Sequence, residues 1–148
     1  VFEKDTIVLR KTSHHHSEKL VHNLKNAPDI AQTIAVTCFG LGITCDLSGL
    51  HTLKIKETDR LEALREELTK LGADISVTNE SLHLKVSKEL NKNISIKTYK
   101  DHRMAMAFAP LALLVPIVIL NAEVVTKSYQ KFWDDMKQIG INITDYQR

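Results

Sequence analysis

The sequence predicts an α+β fold built from α/β-type βαβαββ units, and three observations carry that expectation. Long stretches place apolar residues at helical spacing, short β-branched runs stand between them, and glycine or proline marks the boundaries. In order, the expected elements run β, α, β, α, β, β and then β, α, β, α, β. This is a unit of about 70 residues met twice, with helices packed on sheets. The division falls at approximately residues 1–90 and 91–148. The order of elements marks the repeat, and the residues of the two halves are not alike.

Residues 6–9 alternate and are β-branched, which predicts a strand. His14, His15 and His16 follow in a polar stretch. Three adjacent histidines cannot all face one metal from a regular element, so an exposed turn is expected. Pro28 suits a helix start and Asp29 its first turn. Ile30, Ile34, Cys38 and Leu41 then form an apolar face, which Gly40 or Gly42 ends. A short strand is expected at 44–47 and a turn at Ser48-Gly49.

In the stretch LKIKETDRLEALREELTKL, residues 53–71, the leucines Leu61, Leu64, Leu68 and Leu71 make one helical stripe, stopped by Gly72. Lys56, Glu57 and Arg60 are expected in the first turn of that helix, where their spacing lets them share one face. Two cations at the positive end of a helix dipole weaken it unless an anion docks there. An anion site is therefore expected, with Glu57 as the proton carrier beside it.

Strands at 74–78 and 82–86 should pair as a hairpin over Asn79-Glu80. A strand at 94–96 precedes a helix from Asp101, which can cap it, with His102 and Arg103 adding donors. Residues 104–120 form a run of 17 without a polar side chain. Pro110 and Pro116 divide it into a buried helix and a buried strand at 117–120, not a membrane span, and a kink is expected near Ala107. Lys127 falls in a loop, a helix spans 131–139, and a last strand is expected at 141–144.

Composition excludes several classes. With 43% apolar and 26% charged residues the chain is globular, and a formal charge of +2 gives no case for nucleic acid or an anionic membrane. Cys38 and Cys45 form no metal-type pair, so they are expected to be buried thiols in a reducing compartment. The chain opens on Val1-Phe2 without a secretory signal, and is expected to be a piece of a longer polypeptide. Three helix starts then carry residues able to do chemistry. If those helices run parallel, Asp29, Lys56, Glu57, Arg60, His102 and Arg103 gather at one end, suited to a doubly anionic substrate that needs proton transfer.

Four segments, PDIAQTIA, KIKETDRLEALREELTKLGA, KTYKDHRMAMAFAPLAL and VVTKSYQKFWDDMKQIG, in this order and spacing, closely resemble the C-terminal domain of the 5-enolpyruvylshikimate-3-phosphate synthase family. The resemblance implies about two of the three βαβαββ units of that domain, with the whole N-terminal domain absent. It implies transfer of the enolpyruvyl group of phosphoenolpyruvate to the 5-hydroxyl of shikimate 3-phosphate, with release of phosphate. It implies no cofactor or metal, a cytoplasmic setting and a monomeric full-length protein. Asp29 matches the proton acceptor at the 5-hydroxyl, Glu57 the glutamate that moves a proton at the methylene carbon, and Lys56 the lysine beside shikimate 3-phosphate. Arg60, Arg103 and Lys127 match the cations that hold phosphoenolpyruvate, and His102 the histidine next to them. Where the family often has asparagine, this chain has Thr52, which puts that shikimate 3-phosphate contact in doubt. The related UDP-sugar enolpyruvyl transferases usually carry leucine at the place of His102. A non-catalytic anion- or nucleic-acid-binding module is opposed by the low charge and by 5% aromatic content. Half a cleft cannot surround a substrate, so the isolated 148 residues are expected to show no turnover.

Overall fold

The computed structural model describes residues 2–10, 18–87 and 89–146. His14, His15 and His16 lie outside the described residues. At the start, β1 (Phe2–Glu3) and β2 (Thr6–Ile7) form a small antiparallel ribbon. The strand expected at 6–9 thus stops at Ile7, and Leu9 is largely exposed.

The strand that heads the first unit is β3 (Lys19–Asn23), which the sequence did not announce. It pairs in parallel with β4 (Thr44–Ser48), through the crossover helix α1 (Ala31–Leu41) that a parallel pair requires. Helix α2 (Arg60–Lys70) leads to the hairpin β5 (Ile75–Val77) and β6 (Ser81–Leu84), and the four-stranded sheet has the order β3-β4-β6-β5. Of β3 only Leu20 packs against the core, because this is an edge strand with one covered face.

A short 3-10 turn, Pro28–Ile30, precedes α1, and Gly42 ends it at φ +67°, a left-handed angle suited to glycine. Leu61, Leu64, Leu68 and Leu71 are all buried under the sheet, as the stripe required. The start of α2 differs from expectation. Asp59 is its cap, its side chain accepting the Glu62 N–H, so only Arg60 is helical. Lys56 and Glu57 lie in the loop between the 3-10 turn His51–Ile55 and the helix, and Lys56 is extended.

In the second part β7 (Ile94–Ile96) and β8 (Ile117–Ile119) form a parallel pair. Between them α3 (His102–Phe108) tightens into a 3-10 turn at Ala109–Leu113, where Pro110 cannot supply the N–H an α-helix needs. The sequence places a kink near Ala107; the change of helix type begins two residues later, at Ala109. Residues 104–120 are therefore helix, turn and strand, and among the described residues no helix is long and apolar enough to cross a membrane. After the 3-10 turn Ala122–Lys127 comes α4 (Phe132–Gln138).

No strand forms at 141–144. The Ile141 N–H is taken by the Met136 carbonyl at the end of α4, so the chain leaves the helix without a neighbour to pair with. Ile141 and Ile143 still pack against a small cluster of Ala105, Ala109, Val125, Phe132 and Met136. Hydrophobic burial survives there without a ladder. Cys38 and Cys45 are both buried and free.

Candidate active site

Helix starts deliver the site. Asp29 stands in the turn before α1, Arg60 is the first residue of α2, and Asp101, His102 and Arg103 open α3. Helix α1 packs on both α2 and α3, and the Ala122–Lys127 turn packs on α3, which draws these ends together.

Arg60 is the hub. It is only 2% exposed, and its guanidinium meets three carboxylates. Nε donates to Asp101 Oδ2 at 2.6 Å, Nη1 to Asp29 Oδ1 at 2.9 Å and Nη2 to Glu57 Oε2 at 2.8 Å. Asp101 is fully buried, whereas Asp29 and Glu57 lie at the solvent edge. Outside this base come the other cations. Lys56 Nζ is 3.4 Å from Asp29 Oδ1, Arg103 Nη2 is 3.3 Å from Asp29 Oδ2, and Lys127 Nζ donates to Glu57 Oε1 at 3.2 Å. Arg103 Nη1 also donates to the Asp29 carbonyl at 3.3 Å.

The six residues Asp29, Lys56, Glu57, Arg60, Arg103 and Lys127 therefore form one continuous network from distant parts of the chain. Four cations face three carboxylates, so the cluster carries an excess positive charge. Glu57 is held at about 2. Its own backbone N–H is the largest cause, then the hydrogen bond from Lys127, with the charges of Arg60 and Lys127 adding to both and partial burial opposing them. At neutral pH it is a carboxylate. Fixed cations beside a carboxylate suit an anionic substrate and a proton to be moved.

Two expected residues stand apart. His102 is buried at the start of α3, and its Nδ1 has no hydrogen-bond partner among the described residues. Thr52 lies in the His51–Ile55 turn with Oγ1 buried and likewise without a partner. Neither is bonded to the network. The sequence reading gave Asp101 a capping role alone. It does cap, accepting the Arg103 N–H at 2.9 Å, but its carboxylate also anchors Arg60. The available signal was Arg60 itself, since a guanidinium at a helix start has more donors than Glu57 can satisfy. Among the described residues no group of three or more His, Cys, Asp or Glu side chains could hold a metal ion.

Comparison with known proteins places the chain in a family. Residues 1–136 match the family described as EPSP synthase (3-phosphoshikimate 1-carboxyvinyltransferase). A 3-phosphoshikimate 1-carboxyvinyltransferase of Bacteroides fragilis is 43% identical over 129 residues, covering 85% of this chain and 32% of that protein. One from Neisseria meningitidis is 40% identical over 108 residues, covering 72% of this chain and 25% of that protein. The solved structure of EPSP synthase from Acinetobacter baumannii superposes with a TM-score of 0.71 at 25% identity, covering 82% of this chain and 29% of that one. The chain thus spans about a third or less of the relatives it matches. It belongs to the EPSP synthase (3-phosphoshikimate 1-carboxyvinyltransferase) family.

Proposed function

We propose that this chain supplies part of the catalytic cleft of a 3-phosphoshikimate 1-carboxyvinyltransferase, completed by the N-terminal domain of the same protein. The reaction moves the enolpyruvyl group of phosphoenolpyruvate to the 5-hydroxyl of shikimate 3-phosphate and releases inorganic phosphate. The observation that carries the reading is the Arg60-centred network, which gathers two edge carboxylates and four cations from separate segments.

The residue roles are those that the family resemblance implies, and the clustering of these side chains supports them. Asp29 accepts the proton of the attacking 5-hydroxyl, and Lys56 steadies shikimate 3-phosphate beside it. Arg103 and Lys127 take the carboxylate and phosphate oxygens of phosphoenolpyruvate, and Arg60 fixes the floor beneath them. Asp29 and Glu57 hold the cations in ion pairs. Incoming anions compete for the same cations. As Lys127 turns to the substrate, Glu57 loses one of the bonds that hold its proton affinity down, while its own backbone N–H and the Arg60 charge still favour the carboxylate. To Glu57 we assign the proton delivered to the methylene carbon and taken back when phosphate leaves. The two buried free cysteines suit the reducing, cytoplasmic setting that we propose with this reaction.

The test is turnover by the full-length protein with phosphoenolpyruvate and shikimate 3-phosphate. Glu57→Ala or Arg103→Ala should each lower kcat by about 100-fold or more while the circular dichroism spectrum is kept. Near-normal rates in either variant would overturn that residue's role. Turnover of a UDP-sugar in place of shikimate 3-phosphate would overturn the substrate assignment.

A further inference from the structure

The turn that delivers Asp101 and Arg103 to the site is strained. Tyr99 and Lys100 hold consecutive left-handed backbone angles, φ +53° and +59°, which residues with a Cβ disfavour. Such a conformation persists only where the surroundings fix it. Here the surroundings are helix α2. The Lys97 N–H donates to Glu67 Oε2 at 3.1 Å, and the Tyr99 hydroxyl lies 2.6 Å from both Glu67 Oε1 and Glu66 Oε2. With one proton, the phenol donates to one carboxylate at a time. Glu67 is fully buried and also carries the Lys70 ammonium, so it is a fixed post. The turn closes with the Asp101 N–H on the Thr98 carbonyl at 2.8 Å, and the Asp101 carboxylate then reaches Arg60.

Both anchor points thus sit on α2, at Arg60 and at Glu67, about two helical turns apart. The strained turn is stretched between them. We propose that Tyr99 is a positioning residue of the active site: its hydroxyl, held by Glu66 and Glu67, keeps the 98–101 turn in the conformation that seats Asp101 on Arg60 and brings Arg103 to Asp29. This rests on the proposed reaction. A purely stabilising contact would give a different experimental pattern, because it would lower stability without a separate effect on turnover.

The experiment uses the full-length enzyme and the variants Tyr99→Phe, Lys100→Gly and the double variant. Tyr99→Phe keeps the ring and removes the bond, so kcat should fall about tenfold or more, with KM changed less than about threefold. Lys100 is exposed and outside the network, and Lys100→Gly alone should stay within about twofold of the parent, since glycine adopts φ +59° without a steric penalty. In the double variant glycine relieves the strain that the phenol otherwise restrains, so most of the lost kcat should return. A chemical role for the phenol, or a loss due to unfolding alone, would not be rescued in this way. The proposal is overturned if Tyr99→Phe retains kcat within about twofold, or if the double variant is as slow as Tyr99→Phe. An inactive parent enzyme would refute the proposed reaction instead. Hydrogen exchange at the Asp101 amide then decides: Tyr99→Phe should speed it about tenfold and the double variant should restore it, and unchanged exchange overturns the positioning role.

Discussion

Replacing Asp101 by asparagine removes one charge from a buried pair and little else. Asparagine caps a helix about as well as aspartate, so the start of α3 keeps its capping group. The Arg60 guanidinium, 2% exposed, then loses the carboxylate 2.6 Å from its Nε. Removing one partner of a buried ion pair costs about 3–5 kcal/mol, mostly because the other charge stays buried and uncompensated. Arg60 keeps Asp29 at 2.9 Å and Glu57 at 2.8 Å, both partly exposed to solvent, so the expected loss lies near the lower end, about 3 kcal/mol. Urea unfolding of the protein carrying this chain reads it directly as a fall in midpoint at constant slope. Adding Arg60→Met removes the stranded charge and should recover at least about half of the loss. A change under about 1 kcal/mol for Asp101→Asn, with Arg60 still buried, would refute the reasoning that this pair anchors the site.

Other outcomes follow from the same coordinates. Glu57 is pulled from 4.5 to about 2 on folding, so its contribution to stability is fully present above about 4.5 and is lost as pH falls through about 2. Carboxyl titration by NMR should show that low value, and Lys127→Ala should raise it, because Lys127 donates a hydrogen bond that favours the ionised form. The Cys45 thiol is pushed up to about 12 by burial and by the neighbouring Cys38, so neither cysteine should react with a thiol reagent at pH 8 until the chain unfolds. Gly49→Ala should cost more than Gly42→Ala in a denaturation series. Both glycines have left-handed φ, but a Cβ at Gly49 would meet the Lys25 backbone N at 2.7 Å, whereas nothing lies within 4 Å at Gly42. Equal costs would show that the close approach at Gly49 is relieved by movement of the chain.

Periodicity read α2 well and α1 poorly: of the face expected from Ile30, Ile34, Cys38 and Leu41, Ile30 and Leu41 are exposed, and α1 buries Ala31, Ala35, Val36 and Phe39 beside Cys38. Leu61, Leu64 and Leu68 of α2 and Leu71 at its end are buried as their spacing required, and the hairpin follows, with strands at 75–77 and 81–84 shorter than the expected 74–78 and 82–86. β3 left no periodic mark. Lys19, Val21, His22 and Asn23 face outward or stand at an edge, and the strand exists because β4 offers it a ladder. The reverse holds at Ile141 and Ile143, where the apolar pattern is present and the partner is missing. At the candidate site the residue types were legible and their wiring was not. Lys56 and Glu57 reach the cluster from a loop, because Asp59 and not an earlier residue caps the helix. Asp101 read as a cap because its bond to Arg60, 41 residues away in sequence, has no local signature.

Depth sorts the ion network by its response to ionic strength. At physiological salt, charges in open water are screened within about 8 Å, whereas charges walled in by protein are screened far less. Lys127, 61% exposed, and its bridge to Glu57 belong to the first kind, and Arg60 with Asp101 to the second. Added salt therefore loosens the outer bridges while the floor of the cluster stays assembled, so dissolved ions select which contacts yield first.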